Sequence, residues 1–489
     1  MMRYLPIVVV ALPILGGLII PLIKDTHRKA RCIYTELLVI LNSVLVFVAL
    51  LNNTGESCEL IRFTGDLSIA FRIDGLSVVF AALISFLWPL ATLYSFEYMT
   101  KEKHEGVFFM FYTMTFGVTL GIAMAEDFIS MYCFYEMLTL VTVPLVIHTL
   151  TREAILAARK YLYYSLGGAA FAFIGMIFII TYGVDNRFAY GGVLDMAKIG
   201  NRSNVLLLIY VLTFMGFSVK AAMFPFCSWL PQAGVAPTPV TALLHAVAVV
   251  KSGAFAIIRI TYYSFGIDFL RGTRAQHAVM LFTIITIVYG CSKALKETHL
   301  KRRLAYSTIS NLSYILFGVT LMTPLGLVGA LSHMVFHAMM KICSFFCAGA
   351  VMHQTDKHYI HELDGLGHKM PVTFVIFTIS SLALMGVPGF AGFISKWNLA
   401  TAAAQSGDTL AYIGIAALLI SALLTAIYMM SIVMRAFEPG NDFDDSSIRE
   451  YKDPNILMLL PLVIFAIMIM VFGLCSEPFV GFFRQIAGL

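Results

Sequence analysis

The sequence predicts an all-α integral membrane protein with about 14 transmembrane helices, and three observations support this fold class. Hydrophobic residues make up 59% of the 489 residues and charged residues only 12%. Soluble domains carry roughly 25% charged residues. Apolar runs of about 20 residues, the length that spans a bilayer core, recur along the whole chain. The alternating pattern of a membrane β-barrel is not visible, so helices are expected throughout.

The candidate membrane helices follow from the length of these apolar runs. They begin near residues 4, 33, 73, 106, 128, 162, 204, 239, 276, 303, 325, 371, 410 and 455. The first run, MMRYLPIVVVALPILGGLII, continues into Lys24 and Asp25 without a small-residue cleavage site. We therefore expect a retained first helix instead of a signal peptide.

The loops predict how the chain is oriented. Lys and Arg are about twice as frequent in the loops after odd-numbered helices as in the other loops and the termini together. Cytoplasmic loops carry the excess of positive charge. The expected topology is a multi-pass protein of the cell (cytoplasmic) membrane, with both termini on the outer side and the KETHLKRR loop in the cytoplasm.

Two segments predict interrupted helices. VKAAMFPFCSWLPQAGVAPTPVTALLHAVAVVKSG carries four prolines, and SLALMGVPGFAGFISKWNLA carries three glycines and a proline in mid-helix. Proline removes a backbone hydrogen bond and kinks a helix, and interrupted helices at matching places in two halves are typical of inverted-repeat transporters. The breaks fall in helices 7 and 12, five apart, which predicts two inverted five-helix repeats. A single transmembrane domain, 1–489, is expected, divided into 1–101 (first three helices), 102–262 (helices 4–8), 276–436 (helices 9–13) and 454–489 (helix 14 and the C-terminus).

Ionisable residues inside the apolar runs are the candidate functional residues. A charge near the membrane midplane costs several kilocalories per mole, so each such residue is a functional hypothesis. The candidates for proton translocation are Glu136, Lys220, His245, Lys251, His333, His337, Lys341 and Lys396. Lysine and histidine exchange protons readily when their surroundings change, so a series of them suits proton transfer. A cation-selective filter would favour acidic rings or carbonyl groups instead.

The segment HMVFHAMMK places His333, His337 and Lys341 four residues apart. On a helix these positions form one ladder about 12 Å tall. Other interpretations exist for each residue alone. Glu136 with one lysine could be a static buried pair, a lone histidine could bond a neighbouring helix, and Lys396 could extend to the headgroups. A metal site at the two histidines lacks a third ligand nearby. Proton transfer explains the residues together.

Cofactor sites are not expected on this chain. The eight cysteines are scattered and form no C-x-x-C motif, which disfavours an iron–sulfur cluster or zinc site. No glycine-rich nucleotide motif follows a strand. The histidines of the 353–370 loop and the acidic run at 441–445 are interpreted as solvated connectors.

Four blocks of the sequence resemble one known family. VKAAMFPFCSWLPQAGVAPTPVTALLHAVAVVKSGAFAIIR, LKRRLAYSTISNLSYI, LSHMVFHAMMKICSFFCAGAV and MGVPGFAGFISKW cover roughly residues 120–400 in order. They are similar to the antiporter-like, proton-translocating subunits of respiratory complex I, Mrp Na⁺/H⁺ antiporters and membrane-bound group 4 hydrogenases such as formate hydrogenlyase. The resemblance implies the same fold of fourteen helices with two inverted five-helix repeats.

The resemblance also implies a role for each candidate residue. Glu136 matches the fifth-helix glutamate that pairs with the seventh-helix lysine, here Lys220. Lys251 matches the connecting residue of the eighth helix, with His245 beside it. The second-half relay corresponds to His333, His337 and Lys341, and the twelfth-helix outlet corresponds to Lys396. Protons are then expected to enter from the cytoplasm near Lys251, pass through Lys341 and its histidines, and leave by Lys396.

The expected function is that of a transport subunit in a redox-driven ion pump, with no redox active site on this chain. The partners implied are other membrane subunits, related antiporter-like subunits and a hydrophilic redox arm that carries iron–sulfur clusters and NiFe or flavin. The alternative is an Mrp-type Na⁺/H⁺ antiporter subunit without a redox partner. The sequence departs from the large complex I subunit, which continues beyond the fourteenth helix, although PTPVTALLHA and Lys396 resemble it. This combination favours a hydrogenase-type or Mrp-type complex.

Overall fold

The computed structural model of the chain describes residues 2–52, 55–65, 67–439, 448 and 450–489. The acidic run at 441–445 lies outside the described residues. The first half of the described chain contains eleven α-helices: α1 (Leu5–Ile19), α2 (Arg28–Leu51), α3 (Gly75–Tyr98), α4 (Glu105–Met124), α5 (Phe128–Val146), α6 (Arg152–Tyr182), α7 (Met196–Ile199), α8 (Ser203–Lys220), α9 (Trp229–Ala233), α10 (Thr238–Ala246) and α11 (Val249–Ile258).

Ten more α-helices follow within the described residues: α12 (Ile267–Leu270), α13 (Arg274–Lys296), α14 (Leu300–Thr320), α15 (Pro324–Thr355), α16 (Leu366–Lys369), α17 (Pro371–Met385), α18 (Ala391–Gln405), α19 (Thr409–Phe437), α20 (Ile456–Leu474) and α21 (Glu477–Ile486). A π-helix, Arg259–Phe265, extends α11. Single 3₁₀ turns occur at Met2–Tyr4, Ile20–Leu22, Asp25–His27, Met99–Lys101, Gly200–Arg202 and Ile360–Glu362.

The all-α prediction is confirmed for the membrane part of the described chain, and helices occur at all the predicted starting positions. Twelve described helical segments are long and apolar enough to cross a membrane. Two of the predicted spans, the tenth and the twelfth, are not among these twelve segments, and the sequence of each explains why. Helix α17 has only 15 residues before its break, and α14 carries several Ser and Asn residues along a buried face. The inverted repeats and the residue limits of the units stay predictions.

A β-hairpin is among the described elements that were not predicted from the sequence. Strand β1 (Cys58–Thr64) pairs antiparallel with β2 (Leu67–Phe71), and Cys58 lies opposite Phe71. The hairpin joins α2 to α3, and its first strand is exposed at most positions. The segment between the second and third predicted helices is too short and too polar to show a clear alternation of polar and apolar residues.

Helix α15 is the centre of the bundle. It starts where the Thr323 hydroxyl accepts the N–H of Gly326 at 3.0 Å and Pro324 occupies the first turn, both good helix-start signals. Its most apolar window of 18 residues is completely buried. Helices α10, α14, α17 and α18 pack against it. Protein therefore surrounds this 32-residue helix on all sides along that window.

The predicted breaks in helices 7 and 12 are present. Helix α8 ends at Lys220, and an irregular stretch separates it from the short α9. Helix α17 ends at Met385, and α18 begins at Ala391. A third break, between α10 and α11, was not predicted. There the N–H groups of Val247 and Ala248 both donate to the carbonyl of Leu243, at 3.1 and 2.9 Å.

Candidate ion-translocation site

The ladder predicted on α15 is present and fully buried. His333, His337 and Lys341 each have 0% of their surface exposed. The two imidazole rings are stacked, with centroids 5.4 Å apart and an interplanar angle of 15°. The four-residue spacing therefore places both rings on one face of the helix, as expected.

Lys251 is joined to this ladder by a direct side-chain contact. Its Nζ lies 2.6 Å from Nδ1 of His337, and both side chains are buried. Lys251 is the third residue of α11, so the break after α10 places it in a first helical turn. The contact is between two groups that can each hold or release a proton, which makes it a site for proton transfer.

His245 lies on the other side of that break, at the end of α10. Its ring packs 4.8 Å from the ring of Phe345, and neither ring nitrogen has a hydrogen-bond partner among the described residues. The sequence places His245 beside Lys251, but the structure shows no direct hydrogen bond between their described side chains. Phe345 follows Lys341 by one helical turn, so His245 faces the Lys341 end of the ladder.

The other end of the ladder leads to the twelfth predicted helix. Nδ1 of His333 lies 2.9 Å from the hydroxyl of Ser395, which precedes Lys396 in α18. The ring of Tyr314 stands 5.1 Å from the ring of His333. Nζ of Lys396 lies 5.4 Å from the centroid of the same tyrosine ring. Tyr314 and Ser395 therefore fill the space between the histidine and the lysine.

Lys396 is held at the break between α17 and α18. Its Nζ donates to the carbonyls of Leu384 at 2.6 Å and Met385 at 3.0 Å, the last two residues of α17. The last carbonyls of a helix lack intrahelical partners and carry the negative end of the helix dipole. The interrupted helix therefore supplies the site that stabilises a cation here.

Lys341 bonds a second group of polar side chains. Its Nζ donates to the Ser307 hydroxyl at 2.7 Å and the Leu304 carbonyl at 3.2 Å, both on α14. The Tyr428 hydroxyl of α19 also donates to Ser307, at 2.8 Å. Lys341 is therefore anchored to α14, and the direct contact of Lys251 is with His337.

Lys220 and Glu136 do not form an ion pair within 4.0 Å in the described structure. The Lys220 ammonium donates to the backbone carbonyl of Tyr135 and lies 3.4 Å from the centroid of that residue's ring. Oε1 of Glu136 is buried without a partner among the described residues. The resemblance implies a Glu–Lys pair, whereas the structure has the lysine turned toward the neighbouring tyrosine.

The backbone brings Lys220 close to α11. A Cβ placed on Gly253 would stand 2.6 Å from the N of Ala221 and 3.0 Å from the carbonyl carbon of Lys220. Only glycine permits this approach, because any side chain would collide with main-chain atoms. The end of α8 therefore lies against the turn of α11 that carries Lys251.

Five polar residues of this site were missed by the sequence analysis: Tyr135, Ser307, Tyr314, Ser395 and Tyr428. Ser395 could have been found from its position next to Lys396. Ser307 and Tyr314 lie seven residues apart on α14, two turns along one face, but hydroxyl groups in apolar helices are too common to single out. In the described part of the chain, no group of three or more His, Cys, Asp or Glu residues is arranged to hold a metal ion.

Comparison with profiles of known protein families gives two matches. The profile of the family described as "NADH:quinone oxidoreductase/Mrp antiporter, TM" matches residues 125–425. The chain belongs to this family. A second profile, "NADH-Ubiquinone oxidoreductase (complex I), chain 5 N-terminus", matches residues 62–109. The resemblance inferred from the four sequence blocks is confirmed, and the matched region of this NADH:quinone oxidoreductase/Mrp antiporter family member contains every candidate residue.

Curated relatives of this family member include components of Na⁺/H⁺ antiporters. One such antiporter subunit, from Alkalihalophilus pseudofirmus, is 29% identical over 494 residues, which cover 94% of this chain and 60% of the relative. Another, from Staphylococcus haemolyticus, is 28% identical over 493 residues, which cover 96% of this chain and 60% of the relative. The chain thus spans about 60% of the length of these relatives.

Solved structures with the same fold include chains of the following three complexes. A chain of the archaeal membrane-bound sulfane sulfur reductase has a TM-score of 0.85 and 24% identity, with 99% of this chain and 97% of the other covered. A chain of the Mrp complex from Dietzia sp. DQ12-45-1b has a TM-score of 0.84 and 18% identity, with 100% of this chain and 97% of the other covered. A chain of respiratory complex I from Thermus thermophilus has a TM-score of 0.81 and 20% identity, with 99% of this chain and 98% of the other covered. At these identities the likeness establishes the fold.

Proposed function

We propose that the chain is a proton-translocating subunit of a multisubunit Na⁺/H⁺ antiporter of the Mrp type. The observation that carries the proposal is a set of ionisable side chains, here called the relay. It runs from Lys341 and Lys251 through His337 and His333, all of them buried, to the half-buried Lys396. Side chains that can gain and lose a proton, placed one after another across buried helices, suit proton conduction. The names of the curated relatives support Na⁺ as the exchanged ion.

Each step along the relay exchanges one N–H bond for another. A proton on Nζ of Lys251 passes to Nδ1 of His337 across the 2.6 Å contact, and the lysine is left as a neutral amine. His337 releases a proton from Nε2, which has no partner among the described residues, toward the stacked ring of His333. Ser395 and Tyr314 lie between His333 and Lys396, where the proton reaches the end of α17.

Glu136 and Lys220 act as the switch in this proposal. With its ammonium on the Tyr135 carbonyl, Lys220 leaves the Glu136 carboxylate unpaired. Rotation of the lysine toward Glu136 would form an ion pair and withdraw its positive charge from the neighbourhood of α11. A like charge nearby disfavours the charged form of a lysine, so this movement favours protonation of Lys251.

The partners proposed are other membrane subunits of the same complex, including related antiporter-like subunits. The sequence analysis favoured a redox-driven pump with iron–sulfur clusters and NiFe or flavin in a partner. The names of the curated relatives favour the antiporter, and none of the relay residues needs a redox cofactor for proton transfer. No cofactor is proposed on this chain.

The test measures Na⁺-driven proton movement by the complex isolated from its own membranes and reconstituted into liposomes without an electron donor. We expect the intact complex to acidify or alkalinise the lumen according to the direction of the Na⁺ gradient. Lys341→Ala should slow this exchange at least about tenfold, because loss of a proton-transfer group typically costs that much or more. Lys220→Ala should slow it as well, because it removes the charge of the switch.

Lys103→Ala serves as the matched control, because Lys103 is exposed and outside the membrane helices. Unchanged exchange in both Lys220→Ala and Lys341→Ala would refute the proposal. Proton movement that occurs only when an electron donor is added would favour the redox-driven complex over the antiporter. A complex that assembles with a hydrophilic redox arm would point the same way.

A further inference from the structure

The proposed relay needs a route by which protons reach His245 and Lys341. His353 lies in the last turn of α15, on the side predicted to face the cytoplasm, and only 8% of its surface is exposed. Neither of its ring nitrogens has a hydrogen-bond partner among the described residues. Buried polar atoms nearly always have partners, so two free nitrogens on one imidazole indicate a place that water occupies.

The ring of His353 faces two further polar side chains. The ring centroid of Tyr98, on the last turn of α3, stands 5.6 Å from that of His353. The hydroxyl of Thr238 donates to the Tyr98 hydroxyl at 3.1 Å. Thr238 is the first residue of α10, so these three side chains bring together one end each of α3, α10 and α15.

Helix α10 continues inward from Thr238 to His245. Seven residues of α-helix cover about 10 Å, so His245 lies two turns deeper than Thr238. Both ring nitrogens of His245 are also free of partners among the described residues. The two free imidazoles therefore mark the two ends of one segment, and α10 packs against α15 along it.

The absence of a side chain at Gly349 leaves room for a tyrosine hydroxyl in the middle of this segment. A Cβ on Gly349 would stand 2.6 Å from the hydroxyl oxygen of Tyr94, and it would also collide with the side chain of Thr238. The Tyr94 hydroxyl itself donates to the Phe346 carbonyl at 2.8 Å. The Tyr94 hydroxyl thus lies on the face of α15 between His353 and the Lys341 end of the ladder.

Charged groups of both signs surround the outer end of this segment. The Lys101 ammonium donates to the backbone carbonyl of His353, and Asp356 follows directly after α15. Glu102 is next to Lys101, and Lys301 of α14 donates to the Ala236 carbonyl at 2.9 Å. None of these groups makes an ion pair with the His353 ring in the described structure, so the ring is free to exchange protons with water.

We propose that His353, Tyr98 and Thr238 form the proton entrance that supplies His245 from the predicted cytoplasmic side. A proton from hydronium forms an N–H bond at one ring nitrogen of His353 while the N–H bond at the other nitrogen breaks. The released proton moves along the Tyr98 and Thr238 hydroxyls and intervening water to His245. This entrance rests on the proposed proton-translocating function.

The test compares His353→Ala with His361→Ala in the reconstituted complex of this chain with its native partners. His361 is an exposed histidine in the loop that follows α15. We expect His353→Ala to slow exchange about tenfold near pH 8, where protons are scarce, and far less near pH 6. Added imidazole should restore the rate. Tyr98→Phe should also slow exchange, since it removes one hydroxyl of the entrance and keeps the ring.

Equal rates for His353→Ala and His361→Ala at both pH values would overturn the entrance. A loss in His353→Ala that is the same at both pH values and is not restored by imidazole would also overturn it, because that result indicates a structural role. Lys341→Ala separates the two proposals. If this variant is inactive while His353→Ala is unaffected, only the entrance fails, whereas unchanged exchange in both Lys341→Ala and Lys220→Ala refutes the proposed function itself.

Discussion

At the scale of single residues, the buried histidines share an arrangement that a purely structural histidine would not need. His333 and His337 each contact a polar side chain through Nδ1, and each has an Nε2 without a partner among the described residues. A stabilising buried network satisfies all its donors and acceptors, because an unpaired polar atom in a low dielectric is costly. One engaged nitrogen and one free nitrogen suit a group that accepts a proton on one side and releases it on the other.

Replacing His337 by glutamine tests this interpretation. The amide oxygen of glutamine can still accept a hydrogen bond from Lys251, but the amide cannot be protonated near neutral pH. We expect His337→Gln to slow Na⁺-driven proton movement at least about tenfold in liposomes, while the complex still assembles. His277→Gln is the control, since His277 is 45% exposed and pairs with Asp408 at 2.9 Å. Comparable rates in the two variants would contradict a proton-carrying role for His337.

His299 lies at the start of α14, outside the membrane helices, and we expect its burial to make the stability of the protein depend on pH. Burial lowers its pKa from 6.5 to about 4, and Lys301 and Arg302 add to the effect. The unfolded chain therefore binds more protons between these two values, and the free energy of unfolding falls as the pH drops through this range. We expect the unfolding temperature in detergent to fall from pH 7 toward about pH 4, and to fall less in His299→Gln. An equal fall in both proteins would contradict this assignment.

At the scale of elements, interruptions of helices create the positions of the lysines. Lys220 ends α8, Lys251 lies in the first turn of α11, and Lys396 bonds the last carbonyls of α17. The breaks with a local signal were predictable, because proline and glycine mark them. The break at Val247 and Ala248 has no such residue, and its shape depends on the surrounding helices instead.

Two glycines in the break after α17 provide a matched pair of variants. Gly386 and Gly389 both have positive φ, +90° and +92°, so alanine strains the backbone at either position. Only at Gly386 would the new Cβ meet the Lys396 side chain, at 2.9 Å from its Cδ. We expect both variants to lose similar stability, roughly 1–2 kcal/mol. Only Gly386→Ala should slow exchange beyond that effect, and equal transport rates in the two would show that the Lys396 position is not critical.

At the scale of the whole molecule, an ion pair between Arg259 and Asp74 joins the start of α3 to the π-helix in the middle of the chain. Arg259, at the start of the π-helix, donates to both carboxylate oxygens of Asp74, and its Nη2 lies 2.8 Å from Oδ1. The guanidinium also lies near the rings of Phe188, Phe255 and Tyr263. Arg259 is 1% exposed, so the carboxylate of Asp74 is the group that balances its charge.

Asp74→Asn isolates the contribution of this pair. Asparagine can still accept the Ser77 N–H as the first residue before α3, so the helix start is preserved. Loss of one partner leaves a buried charge unpaired, and we expect a decrease of about 3–5 kcal/mol in the free energy of unfolding. Glu477→Gln, which breaks the exposed pair with Arg484, should cost at most about 1 kcal/mol. Denaturant unfolding of the two variants measures the difference, and equal costs would show that Arg259 is stabilised by its aromatic neighbours alone.

The sequence by itself determined the fold class, the positions of the membrane helices, the breaks in helices 7 and 12 and the family. These features follow from apolar run length, proline and glycine positions, and local blocks of residues. The tertiary structure alone decided which side chains touch. Lys251 contacts His337 and not His245, Lys341 bonds Ser307, and Lys220 turns to Tyr135. These contacts join helices far apart in the chain, and their geometry depends on packing that no local pattern encodes.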